Sequence, residues 1–164
     1  MKRLKLGILC ALVMLVTPSF AEIAISESQG LAILKGDGVK SNAAQSLFKS
    51  GVFSKSSFDN NAEAYRGYFF PQKSLTFFKH NIVALDVPYK TIHVGCCVMH
   101  ENGFILSYKI GSDIDALNRF AKKNNCRIDN NPLDGVIDPI AVRLVKKWNT
   151  TNFTSVVCEK PNEE

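Results

Sequence analysis

The sequence is short of several things that would have announced a function. It has three histidines and one tryptophan in 164 residues. It contains no Gly-x-Ser-x-Gly, no His-Glu-x-x-His, no phosphate-binding glycine loop and no dinucleotide fingerprint. These patterns mark, respectively, a nucleophilic serine, a zinc site and two nucleotide sites. Cys-x-x-Cys is absent, which removes the usual dithiol redox motif and c-type haem attachment. Six prolines and 10 glycines are too few for a collagen-like or low-complexity chain. No apolar run reaches the roughly 20 residues a membrane-spanning helix needs.

The longest apolar run is Leu6–Val16, eleven residues. It follows Lys2, Arg3 and Lys5 and is closed by Thr17-Pro18 and Ser19-Phe20-Ala21. A basic start, a short apolar stretch and small residues before a cut predict a cleavable signal peptide over 1–21. An uncleaved anchor is the competing reading. The predicted mature part is one globular domain over 22–160, with a frayed tail at 161–164. Removing 1–21 takes away three of 20 basic and none of the 15 acidic residues, lowering the net charge from +5 to +2. The remaining adjacent basic pairs, Lys122-Lys123 and Lys146-Lys147, each fall at the end of an expected helix, where cations complement the helix dipole. Nucleic-acid binding requires a clustered basic face and is not expected, nor is membrane attachment once the leader is cut. The sequence does not set an oligomeric state.

Five cysteines become four on loss of Cys10: Cys96, Cys97, Cys126 and Cys158. An even count in an exported chain predicts disulfides. Cys96 and Cys97 are neighbours that rarely bond each other, so two bridges would join them, in either order, to Cys126 and Cys158. One bridge with two buried thiols is the alternative.

Local patterns predict an α+β domain with an antiparallel or mixed sheet. Ile82–Val87 and Phe153–Cys158 read as strands, and Cys126–Ile128 as a short one. Thr91–His100 and Phe104–Ile110 flank Asn102-Gly103, the strongest short-range hairpin signal, so a central hairpin is expected over about 91–110. Ser112 is the expected cap of a helix over about 113–123, with Ile114, Leu117, Phe120 and Ala121 on its buried face. Asp138-Pro139 begins a second helix, about 139–148, with Ile140, Leu144, Val145 and Trp148 as its stripe. Both helices are expected on one face of the sheet. Residues 22–66 are less legible: a strand at Ile23 and Ile25, a short helix capped by Ser41 or Asn42, a polar loop over Ser54–Asn61 and a short helix near Ala62–Arg66.

Three sets of residues are candidates for a site. His93, Cys96, Cys97 and His100 would lie on one face of a helix and suit a metal ion; on the expected strand they split between two faces, so no metal or other cofactor is expected. A thiol nucleophile served by His80 or His100 would need a reduced cysteine. Tyr65, Tyr68, Phe69, Phe70, Phe77 and Phe78 form an aromatic concentration that is either core or a binding surface; as a surface it would present Tyr65, Tyr68, Phe69, Phe70 and Tyr89. Asp86 is the acid least explained by a turn or cap. Asn149 and Asn152 head Asn-x-Thr patterns, which matter only where glycosylation operates. The expected function is a small periplasmic or secreted protein, non-enzymatic, acting by contact with another protein as an inhibitor, immunity or assembly factor. The alternatives are a hydrolase or thiol enzyme and an envelope protein that binds a metal or small ligand.

Overall fold

The computed structural model describes residues 22–36, 38–54, 58–61, 66–88, 101–133, 138–150 and 152–159. The strands are β1 (Ile23–Ala24), β2 (Phe58–Asn61), β3 (Arg66–Phe69), β4 (Leu75–Phe77), β5 (His80–Pro88), β6 (Glu101–Ser107), β7 (Cys126–Asp129) and β8 (Phe153–Glu159). The helices are α1 (Glu27–Lys35), α2 (Asn42–Lys49), α3 (Ile114–Lys123) and α4 (Asp138–Trp148). The α+β class expected from the sequence is the one observed.

One mixed sheet carries the strands in the order β1-β4-β5-β6-β8-β7, with β3 also beside β5 and β2 beside β3. Only the β1–β4 pair is parallel among these pairings. Alternation across the pleat divides the core into two layers. Ile82, Leu85, Val87, Phe104, Leu106 and Val156 face α1, α2 and α3. Val83, Ala84, Ile105, Tyr68, Phe70 and Phe153 face Leu144 of α4, with Val145 and Trp148 beside it. A register shift between Ile82 and Ala84 lets Val83 and Ala84 both serve the α4 layer. The helices therefore cover both faces: among the described residues, α3 lies with α1 and α2, and α4 lies opposite them. The expectation of one helical face fails because β5, β6 and β8 are apolar on both sides, which requires cover on both.

Phe77 is the hub of the larger layer. Its ring meets Phe104 at 5.5 Å and Phe120 at 5.1 Å, the latter edge-on. Gly30 of α1 sits on the same ring: a Cβ there would lie 2.5 Å from Phe77 Cε2. α1 opens with a capping box, in which Ser26 Oγ accepts from Gln29 N–H and the Gln29 side chain accepts from Ser26 N–H. α2 is capped by Ser41, as expected. α3 is capped by Asp113, whose carboxylate accepts from Ala116 N–H at 2.8 Å, and not by Ser112. Its buried face is Leu117, Phe120 and Ala121, while Ile114 is exposed. β2 occupies part of the stretch expected to be a polar loop, and Arg66 opens β3 where a short helix was expected.

The largest correction concerns Asn102-Gly103. Both lie inside β6, where Gly103 pairs with Asp86 on one side and Val157 on the other. There is no hairpin turn at 102–103. The Asn102 amide points into the α1 layer and donates to the carbonyl oxygens of Leu34 and Gly36, each at 3.1 Å. These are orphan acceptors at the end of α1. The two-residue hairpin lies instead at Phe78-Lys79, between the paired residues Phe77 and His80. Phe78 and Lys79 have φ of 48° and 61°, as a type I′ turn demands. Residues 91–100, the first half of the expected hairpin, lie outside the described residues.

Candidate functional site

Cys126 and Cys158 are bonded to each other. They stand opposite one another on β7 and β8, with Cα atoms 4.3 Å apart. This overturns the expected pairing of Cys96 and Cys97 with Cys126 and Cys158: strand register sets Cys126 and Cys158 opposite each other. Cys96, Cys97, His93 and His100 lie outside the described residues, as do Tyr65 and Tyr89. Among the described residues, no group of three or more His, Cys, Asp or Glu is placed to hold a metal ion.

Of the aromatic candidates, Tyr68 and Phe70 are buried in the α4 layer. Burial pushes the Tyr68 hydroxyl well above its ordinary value, with the Asp86 charge adding to the effect. Phe69 is half-buried, edge-on to Phe48 at 5.2 Å. These three are core, not surface.

The chemistry-bearing side chains gather at two opposite ends of β5 and β6. At the first end, Arg66, Asp86, Glu101 and Arg127 form a row across the α4 side of the sheet. Arg66 Nε donates to Asp86 Oδ1 at 2.7 Å, and its Nη1 donates to the Glu101 carbonyl at 3.0 Å. Arg127 Nη2 donates to Glu101 Oε2 at 2.7 Å. Burial raises the Asp86 carboxyl above its ordinary value against the pull of Arg66. The paired Glu101 holds the Arg127 guanidinium more firmly protonated. Asp86, unexplained in the sequence, is thus the partner of Arg66. Glu101 and Arg127 also line a pocket of about 210 Å³ with Asn125, Cys126, Val157 and Glu159. Within the row each acid has a basic partner, which suits holding β3, β5, β6 and β7 together better than proton transfer.

The second end is built differently. β6 stops at Ser107, and the chain turns through Tyr108–Ser112 into α3. Ser112 N–H donates to the Lys109 carbonyl at 2.9 Å, with Gly111 at φ 85°, so Ile110 and Gly111 occupy the tip of a tight turn. Ile110 is 94% exposed, Tyr108 60% and Ile114 43%. Three of the four large apolar residues exposed among the described residues therefore fall on seven consecutive positions; the fourth, Val142, is on α4. The turn is anchored from below. Asp113 N–H donates to the Phe78 carbonyl at 3.1 Å, and Ser112 Oγ donates to the Lys79 carbonyl at 3.1 Å. Lys109 Nζ and Glu22 form an exposed ion pair at 2.7 Å. Beneath Tyr108, with ring centroids 6.5 Å apart, lies His80. It is 2% exposed; no hydrogen bond of good geometry reaches either ring nitrogen, and the Asp113 backbone is the polar group that favours its charged form most.

The sequence reading missed this end. It assigned Ile110 to a strand and Ile114 to a buried helix face. The available signal was Gly111-Ser112 directly after Ile110, a turn pair that strands an isoleucine at a tip.

Comparison with protein families, with curated proteins and with solved structures finds no match to this chain.

Proposed function

We propose that this chain is an exported protein that works by contact with another protein, and that the contact is made by the Tyr108–Ile114 loop. The observation that carries the reading is the exposure of Ile110 at the tip of a fixed turn, with Tyr108 and Ile114 beside it. Scattered apolar residues on a surface need no explanation, but a concentration on one loop marks a contact site. A loop held by backbone and side-chain hydrogen bonds also loses little freedom on binding, which favours affinity.

Export is supported by the Cys126–Cys158 bond, which persists in oxidising compartments. It is further supported by the leader-like pattern of residues 1–21. Among the described residues no helix is long and apolar enough to cross a membrane.

The test is photo-crosslinking in cells that produce the protein. A photoreactive residue at Ile110 is expected to give an adduct of discrete mass. The same residue at Val142, exposed on the α4 side of the sheet, is expected to give none. No adduct at Ile110, or equal adducts at both positions, overturns the proposal.

A further inference from the structure

We infer that His80 makes the seating of the contact loop depend on pH, so that the loop is held at neutral pH and loosens as the pH falls. The inference rests on the proposed contact role only for its biological meaning; the device itself is in the fold.

His80 opens β5 immediately after the Phe78-Lys79 turn and lies under the Tyr108 ring. A neutral imidazole has one donor and one acceptor, and an imidazolium has two donors. No hydrogen bond of good geometry reaches either nitrogen, and the Asp113 backbone carbonyl is close enough to serve one of them when the ring is charged. Protonation therefore places a charge, and a second donor without an acceptor, in an enclosed space, a less favourable state than the neutral ring.

The titratable and charged groups facing His80 come from two elements. Tyr108 approaches from the end of β6, and Asp113 from the start of α3. From β4 the facing residue is the apolar Phe77. The Asp113 backbone carbonyl and, after it, the Asp113 carboxylate favour the charged ring, the carboxylate being already engaged at Ala116 N–H. Burial outweighs both and holds His80 below its ordinary value of 6.5. The folded state therefore takes up the proton at lower pH than the unfolded chain does. Stability from the neutral ring is complete above about 6.5 and is lost as the pH falls from there towards the folded value.

The way to hydrate a protonated His80 is to lift the cover, which is Tyr108 and the loop behind it. The floor of that loop is also the least relaxed backbone nearby. Phe78 and Lys79 both hold positive φ, a conformation bulky side chains disfavour. Their carbonyl oxygens receive the Asp113 and Ser112 hydrogen bonds that seat the loop. Lifting Tyr108 and releasing those two bonds are therefore one motion.

The experiment uses the purified disulfide-bonded protein and follows it by NMR. Amide exchange at Lys109, Ser112 and Asp113, corrected for the intrinsic pH effect, is expected to accelerate between about pH 7.5 and about pH 5.5. The acceleration over this range is at most about tenfold, the limit set by an open-state ring that titrates at its ordinary value of 6.5. In His80→Phe and His80→Gln it is expected to vanish. Equal protection at both pH values, or the same acceleration in either variant, overturns the inference. Should both variants fail to fold, the wild-type ring signal decides. Titration below 6.5 together with shifts of the Tyr108 ring supports the switch, and titration at or above 6.5 overturns it. A crosslink at Ile110 that persists with no pH-dependent loosening sinks the switch but keeps the contact reading. His80-dependent loosening without a crosslink does the reverse.

Discussion

Asn102 Nδ2 donates to the carbonyl oxygen of Leu34 at 3.1 Å, joining the middle of the sheet to the end of α1. Asn102 is 1% exposed, and its amide serves acceptors that the helix cannot satisfy itself. Asn102→Ala is expected to lower stability by about 1–3 kcal/mol, the cost of leaving such groups buried and unpaired. Asn102→Asp, which turns an acceptor towards acceptors, is expected to be worse. Urea unfolding of the three proteins checks this; an alanine variant as stable as the parent would show that α1 ends without help from the sheet.

The Phe78-Lys79 turn stores conformational energy that glycine would release. Lys79→Gly removes the Cβ penalty at φ 61°, so stability is expected to rise by about 1 kcal/mol. Phe78→Gly is expected to fall instead, because the Phe78 ring packs on Phe77 at 4.5 Å and on Phe120 at 5.6 Å. Thermal unfolding of the pair separates backbone relief from lost packing. Two changes of the same sign would contradict this division.

In an exposed helix interior, glycine to alanine gains up to about 1 kcal/mol. At Gly30 the sign is expected to reverse. The added methyl would meet the Phe77 ring, which is fixed among Phe104, Phe120 and Phe78. Overpacking of this kind typically costs about 1–3 kcal/mol. Calorimetry of Gly30→Ala gives the answer, and a raised melting temperature would mean that α1 is free to shift away from the sheet.

The Cys126–Cys158 bond closes a loop with a sequence separation of 32. Chain-entropy arguments give such a loop about 3–4 kcal/mol. Cys126→Ser and Cys158→Ser are each expected to lose that amount, and the double variant no more than either single one. Peptide mapping without reduction should recover one fragment pair joining Cys126 to Cys158. Recovery of either cysteine joined to Cys96 or Cys97 would contradict the strand register.

The parts of the fold legible in the sequence were those whose local signal agreed with their surroundings. Apolar runs gave β5 and β8, and helical spacing with acidic starts and basic ends gave α3 and α4. Asn102-Gly103 misled because its local meaning was overruled from outside. The asparagine amide found the end of α1, and the glycine stands opposite Val157, where an added Cβ would come within 3.1 Å of its Cγ2. The true turn, Phe78-Lys79, has no turn chemistry of its own and is held by Ser112 and Asp113 from 33 or more residues away. α1 went unread although Ser26-x-x-Gln29 is a capping box, because Gly30 interrupts it for the sake of Phe77. Tyr68 and Phe70 looked equally suited to core and surface, since aromatic density alone carries no direction. The sequence offers His80 only as a possible helper to a thiol; its burial beside Tyr108 and Asp113 is a property of the fold.

The contact reading depends most directly on Ile110. Ile110→Asp places a charge on a side chain that is 94% exposed and supports no part of the core. Its melting temperature is therefore expected to stay within about 1 °C of the parent, as surface changes do. Recovery of the partner crosslinked through Tyr108 is expected to fall at least about tenfold, the loss of roughly 1.4 kcal/mol of binding. A variant that keeps both its stability and its full yield of the crosslinked complex would contradict the account.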